Sequence, residues 1–383
     1  MRGVRGLLGL GLVLLASTAA AGEPEREPLG PTQDVAAPVV LRGGWIWDGT
    51  GAPARRADIR LEAGRIVAIG DSVSTEPGDR ELDATGGLVA PGMVDSHVHL
   101  SAIPGMPYRD ESVEQLEDQQ RWQLRTYLAT GFTTVLDTGA PTDEFLKVRA
   151  WRESGVAGPR VLALGPPLSP PGGYLDSLEA GFAMPMTAEE IRAHLRALAD
   201  QGADGVKVTM EEGYVMRVWP IFTSEERQVI ASEADTLGLA VYVHGFSPRE
   251  HRLSLELEPR AMVHGPSRTP RSLARQLRES RVRVMSTLFI EDMFLVPFEP
   301  ERLDEPLYRL LVPETQRETV LDPEVDAKVM DAVATMALPD GPGWAQDVAR
   351  RQMSRASTMR NRLRARSRAI RRLDRFDVEV VLG

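Results

Sequence analysis

From Val39 to Ile69 short β-rich runs, VVLRGGWIWDG and DIRLEAGRIVAIG, alternate with glycine-bearing turns, which is the pattern of a small antiparallel sheet. After Ala90 the periodicity changes to strand, helix, strand, helix. Strands are expected at Met93 to Leu100, Thr133 to Asp137, Arg160 to Leu164, Gly205 to Met210, Ala240 to Gly245, Ala261 to Gly265, Val282 to Leu288 and Val378 to Leu382. Runs such as VLAL and VKVTM are apolar throughout, as strands buried on both faces require. The intervening helices open with capping-box spacing at Ser112-x-x-Gln115, Thr187-x-x-Glu190 and Thr223-x-x-Glu226. Eight strands spaced by helices predict an α/β protein of the TIM (β/α)8 barrel class, residues 91–383, behind a small N-terminal β-sandwich part, residues 38–90.

The first residues read as an address. Arg2 and Arg5 precede an apolar run from Gly6 to Leu15 and the small residues Ala19 to Ala21, so residues 1–21 are expected to be a secretory signal. The run is well short of the roughly 20 residues that a membrane span needs. Residues 22–37 form a polar lead-in, and the expected location is the periplasm or exterior of a bacterium, with no membrane contact in the mature form. The connection of about 290–344 is too long and proline-punctuated for one loop and reads as a partly helical insertion. The helix that follows, Asp347 to Leu373, sets eleven Arg up to Arg375 against Asp347, Asp374 and Asp377. A solvated outer helix pairing with the acidic body is the expected role, ahead of a nucleic-acid or anionic-lipid patch.

Composition narrows the chemistry further. The 383 residues are 42% hydrophobic and 26% charged, with a net charge of −10, which argues against a nucleic-acid partner. There is no Cys, so thiolate ligands, Cys nucleophiles and disulfides are excluded, and any metal must rest on His, carboxylate or a modified Lys. Of six histidines, four fall at or near the C-terminal ends of expected barrel strands: His97, His99, His244 and His264. At that face of a barrel, residues distant in sequence converge on one cavity. His97-x-His99 on a strand puts both imidazoles on the same side. Lys207 lies inside the apolar run GVKVT, where a buried ammonium must find a partner or lose its charge. Carbamylation by CO₂ would convert it into an anionic oxygen ligand.

The segments DGTGAP and RIVAIG, then DATGGLVAPGMVDSHVHL, GFTTVLDTG, GVKVTM, VYVHG and MVHG, together resemble the metal-dependent amidohydrolase superfamily. More narrowly they resemble its imidazolonepropionase-like branch, which includes binuclear dipeptidases. The resemblance implies two divalent ions, Zn²⁺ expected, with His97 and His99 on the more buried one, His244 and His264 on the more exposed one, and a carbamate derived from CO₂ on Lys207 bridging them. It implies hydrolysis of an amide, peptide or cyclic amide C–N bond by a metal-bridging hydroxide, in which Lys207 and His264 take part. The substrate would be a small molecule or dipeptide, and a homo-oligomer is compatible with this reading. Pro170 to Tyr174 resembles the family's active-site loop, with Tyr174 where a His is common. The family's catalytic Asp follows strand eight, and here the chain ends at Gly383, so that Asp is expected just beyond it. The C-terminal half of the β-sandwich is likewise expected to be missing, leaving apolar edges around Val39 to Ile69 exposed.

Asp374 and Asp377 precede strand eight and are not expected to substitute. Asp137, at the end of the second strand, is expected to hydrogen-bond a His ligand. Glu211 and Glu212 are expected to be solvated loop acids, ahead of a role in meeting a cationic substrate, and Tyr214 is a weaker candidate substrate contact. The alternatives are a mononuclear deaminase or imidazolone-type hydrolase, which does not use Lys207, and an impaired or non-catalytic barrel.

Overall fold

A computed structural model describes residues 37–100, 113–153, 155–176, 184–185, 187–214, 217–288, 295–296, 299–306, 309, 314, 317 and 356–382. The expected signal, nearly all of the lead-in, the Ser112 cap and most of the 290–344 insertion lie outside these residues. The described chain forms two compact units that divide between Met93 and Val94, with Gly155–Ala157 grouped with the first.

The first unit is one sheet of β1 (Val39–Ile46), β2 (Arg55–Glu62), β3 (Arg65–Gly70), β4 (Arg80–Asp83) and β5 (Leu88–Val89). The antiparallel β1–β2–β3 meander is as expected. The sheet is mixed, however, because β4 and β5 both pair parallel to β1, an arrangement that alternating runs and turns do not disclose. Ile46, Ala57 and Ile59 form its core, and Arg42 ties Asp58 (2.7 Å) to Glu81 (2.6 Å) across strands. Trp45, Ile66, Val67 and Ile69 remain exposed.

The second unit contains all eight expected barrel strands, most of them shortened by one or a few residues. β6 (Met93–Val98), β7 (Phe132–Asp137) and β8 (Arg160–Ala163) form one sheet in that order. β9 (Gly205–Thr209), β12 (Ala240–His244), β13 (Ala261–Val263), β14 (Arg283–Met285) and β15 (Val380–Val381) form a second, parallel throughout. Between β9 and β12 lies the hairpin β10 (Gly213–Tyr214) and β11 (Arg217–Val218). Backbone bonds run between the two sheets on both sides: Leu168 pairs with Val208, and Ser96 N–H donates to the Leu382 carbonyl (3.0 Å). The arrangement fits a TIM barrel.

Helices α1 (Val113–Ala129), α2 (Thr142–Glu153), α3 (Ala188–Asp200), α4 (Ser224–Leu237), α5 (Pro248–Ser254), α6 (Arg271–Glu279) and α7 (Ala356–Asp374) separate the strands. The capping boxes at Thr187 and Thr223 are present, and Ser247-x-x-Glu250 adds a third that the sequence reading missed. No described helix is long and apolar enough to cross a membrane.

Strand parity decides what faces what. Val206, Val208, Val241, Val243, Met262 and Val284 pack with Ile191, Leu195, Ile230 and Leu277 of the helices, while Leu136, Leu164, Ala261, Val263 and Met285 form a separate cluster on the other face. Because side chains alternate, Lys207 shares the second face with Gly205 and Thr209, and His244 shares it with Tyr242. Gly205 is required by the closeness of β9 to β12: a Cβ there would stand 2.3 Å from the Ala240 carbonyl oxygen. Gly205→Ala is therefore expected to lower stability by about 1–3 kcal/mol or more in urea denaturation, and an unchanged midpoint would contradict this packing.

Candidate functional site

The four strand-end histidines meet. The ring centroids of His97 and His99 are 5.2 Å apart, those of His97 and His264 4.8 Å, and those of His244 and His264 4.7 Å. The ends of three strands, the first more than a hundred residues before the other two, thus deliver their imidazoles to one place. Lys207, buried on β9, acts electrostatically on all four rings. Burial pushes its amine down to about 8, and the Asp137 carboxylate pulls the other way. Asp137 is pushed up to about 6 by burial, against the hydrogen bonds it accepts.

Three of the four rings, those of His99, His244 and His264, are held from outside the cluster. His99 Nδ1 donates to the Gly139 carbonyl (3.0 Å), so its Nε2 carries the lone pair when the ring is neutral. That Nε2 faces His97 Nε2 at 3.3 Å and Thr138 Oγ1 at 3.5 Å. Burial, with the Lys207 ammonium second, lowers both rings below the ordinary imidazole value. Solvent reaches His99 more than His97, so its shift is the more screened. Asp137 does not touch a histidine, contrary to expectation. Its carboxylate accepts from Gly139 N–H (3.1 Å) and Leu100 N–H (3.3 Å), and so pins the loop that offers the carbonyl to His99.

His244 Nε2 lies 2.7 Å from Glu211 Oε2, with both side chains buried. A carboxylate only accepts, so Nε2 bears the proton and Nδ1 the lone pair. Tyr174 stacks on the other side of the ring, centroids 4.7 Å apart and planes 17° apart. The expectation of solvated acids is thereby corrected: Glu211 is buried against a ligand-type histidine, and Glu212 is ion-paired to Arg249. The signal was available, since Lys207, Thr209 and Glu211 alternate along one strand face. The Tyr214 side chain lies outside the described residues.

His264 follows β13 with φ +73°, a left-handed conformation uncommon for a side-chain-bearing residue. Its Nδ1 is 2.8 Å from Thr287 Oγ1, and Phe246 stacks on it at 4.7 Å and 14°. The remaining histidines serve elsewhere: His194 donates to the Pro166 carbonyl (3.2 Å), and His251 lies between the Ser247 and His264 carbonyls.

No group of three His or carboxylate side chains among the described residues stands in ready metal-ligand geometry. The donor set nevertheless fits a divalent cation. His97 Nδ1 and His244 Nδ1 are buried without a hydrogen-bond partner, and two imidazole Nε2 atoms face each other. Unsatisfied buried nitrogens are costly, and neutral imidazole lone pairs are what a metal of the Zn²⁺ type takes.

Residues 88–260 match the amidohydrolase family. Over 61 residues the chain is 54% identical to an N-acyl-D-glutamate deacylase of Alcaligenes xylosoxydans xylosoxydans, covering 16% of this chain and 12% of the deacylase. Among solved structures, an amidohydrolase superposes with a TM-score of 0.66 at 20% identity, covering 91% of this chain and 78% of that one. A Xaa-Pro dipeptidase with bound methionine superposes with a TM-score of 0.60 at 20% identity, covering 86% and 90%.

Removing the Glu211 carboxylate would leave the His244 N–H buried without an acceptor. Glu211→Ala is expected to cost about 1–3 kcal/mol in chemical denaturation, and a stability equal to that of the parent would mean the pair is not formed.

Proposed function

We propose that this chain, whose residues 88–260 match the amidohydrolase family, hydrolyses a carbon–nitrogen bond in a small substrate at the His97, His99, Lys207, His244 and His264 centre. The observation that carries this reading is the convergence of four imidazoles from the ends of β6, β12 and β13, with Lys207 buried on β9. His97 and His99 would hold one divalent ion and His244 and His264 a second, Zn²⁺ being suited to such nitrogen donors. When bound, such ions supply a water acidic enough to attack near neutral pH and polarise the scissile carbonyl. Lys207, carbamylated by CO₂, would contribute an anionic oxygen from its buried position on β9.

The chain's own groups arrange this centre. Gly139 and Glu211 hold the His99 and His244 tautomers that leave lone pairs available, and Tyr174 with Phe246 walls two of the rings with aromatic faces. A dipeptide or N-acyl amino acid is the substrate class we favour, supported by the fold likeness to the Xaa-Pro dipeptidase and the local identity to the deacylase. An exported, periplasmic location is part of the same proposal. It is compatible with the absence of Cys.

Elemental analysis of the purified protein, with turnover on a panel of dipeptides and N-acyl amino acids, tests the reading. We expect bound divalent metal, and a loss of more than about 100-fold in kcat/KM in His97→Ala and His264→Ala, since even outer-sphere partners of metal ligands are worth 10–100-fold. Lys207→Ala is expected to bind less metal. Retention of full metal content would favour the mononuclear reading, and absence of metal and turnover from the parent would overturn the proposal.

A further inference from the structure

Of the arginines on α7, one is set apart from the rest. Arg360, Arg364, Arg368, Arg371 and Arg372 are exposed, whereas Arg366 is buried. Its Nη2 donates to the Gly265 carbonyl (3.2 Å), and its guanidinium lies 4.7 Å from the centroid of Phe246. Phe246 in turn stacks on His264. The three side chains therefore form a column in which Phe246 separates the imidazole from the guanidinium. The same stretch of α7 is anchored to the same loop by Thr269, whose Oγ1 donates to the Ala369 carbonyl (2.9 Å), and by Ile370, which occupies the space a Cβ on Gly265 would need.

We propose that Arg366 is a positioning residue for His264: it fixes the carbonyl of the adjacent Gly265 and backs the ring that stacks on the imidazole, so that His264 keeps its left-handed backbone and its direction. A residue other than glycine held at φ +73° is strained. It persists only where its surroundings over-determine it, and Arg366 supplies two restraints that act together. A guanidinium suits both tasks, being permanently charged, planar and able to donate while stacked on an aromatic face. The inference rests on the reading of His264 as a metal ligand for its functional consequence, and on geometry alone for the positioning itself.

Two measurements separate these layers. In metal-free protein labelled with ¹⁵N-histidine, Arg366→Met is expected to shift or broaden the His264 imidazole signals while leaving those of His194 in place. Zn²⁺ competition titration should then show a 10–100-fold weaker site, the range seen when outer-sphere partners are removed. Arg366→Lys, which keeps the charge and a donor, should recover part of both effects, and Arg364→Met should have neither. If Arg366→Met does not fold, Phe246→Leu breaks the column at its middle and should give the same His264 shift. Unchanged His264 signals and Zn²⁺ affinity in a folded Arg366→Met protein would overturn the inference. If the parent itself takes up no Zn²⁺, the metal reading falls while the imidazole signals still decide the positioning.

Discussion

A strand with no face turned to water must place every polar side chain deliberately, and β9 is such a strand. All five of its residues are buried, so the amine of Lys207 cannot be hydrated and is depressed toward neutrality. Its neighbours on the same face carry the consequences. Thr209 and Glu211 continue the inward series, Glu211 is met by the His244 N–H, and Asp137 supplies a carboxylate whose own burial raises it toward the range where it too is partly protonated. A core made only of the apolar side chains that line the opposite face of β9 would be easier to build. The polar alternation is retained at the strand end where the imidazoles gather.

What surrounds those imidazoles is a set of independent restraints drawn from different parts of the chain. The loop after β7 orients His99 through a carbonyl, and Asp137 holds that loop. The segment after β9 orients His244 through Glu211, while Tyr174 from the loop after β8 covers its face. Thr287 after β14 and Phe246 after β12 fix His264, backed from α7. Each restraint either selects a tautomer or blocks a rotation. Together they orient the rings and leave His97 Nδ1 and His244 Nδ1 buried without a hydrogen-bond partner, nitrogens of the kind a cation takes.

Much of the architecture was legible in the residues. The eight strands were readable because buried parallel strands are continuous apolar runs and their helices announce themselves by capping boxes, two of which formed at Thr187 and Thr223. Parallel pairing of β4 and β5 with β1 was not, since it depends on partners distant along the chain. Glu211 was misread as a solvated acid, although the parity that picked out Lys207 extends to it. Parity still holds just past the strand end, but the partner that buries Glu211 comes from another element, His244 of β12.

The sequence by itself determined which residue types were available, their spacing along each strand and hence which side chains share a face: His97 with His99, Lys207 with Thr209 and Glu211. Those are consequences of local geometry, fixed by the two-residue repeat. Only the tertiary structure decided which faces meet, which ring nitrogen is left with a lone pair, and that Arg366 among the many arginines of its helix is the one turned inward. Sequence spacing cannot encode these outcomes. Whether a charge on a helix points to solvent or to the core depends on what packs beside it, and here that is a peptide one hundred residues earlier in the chain.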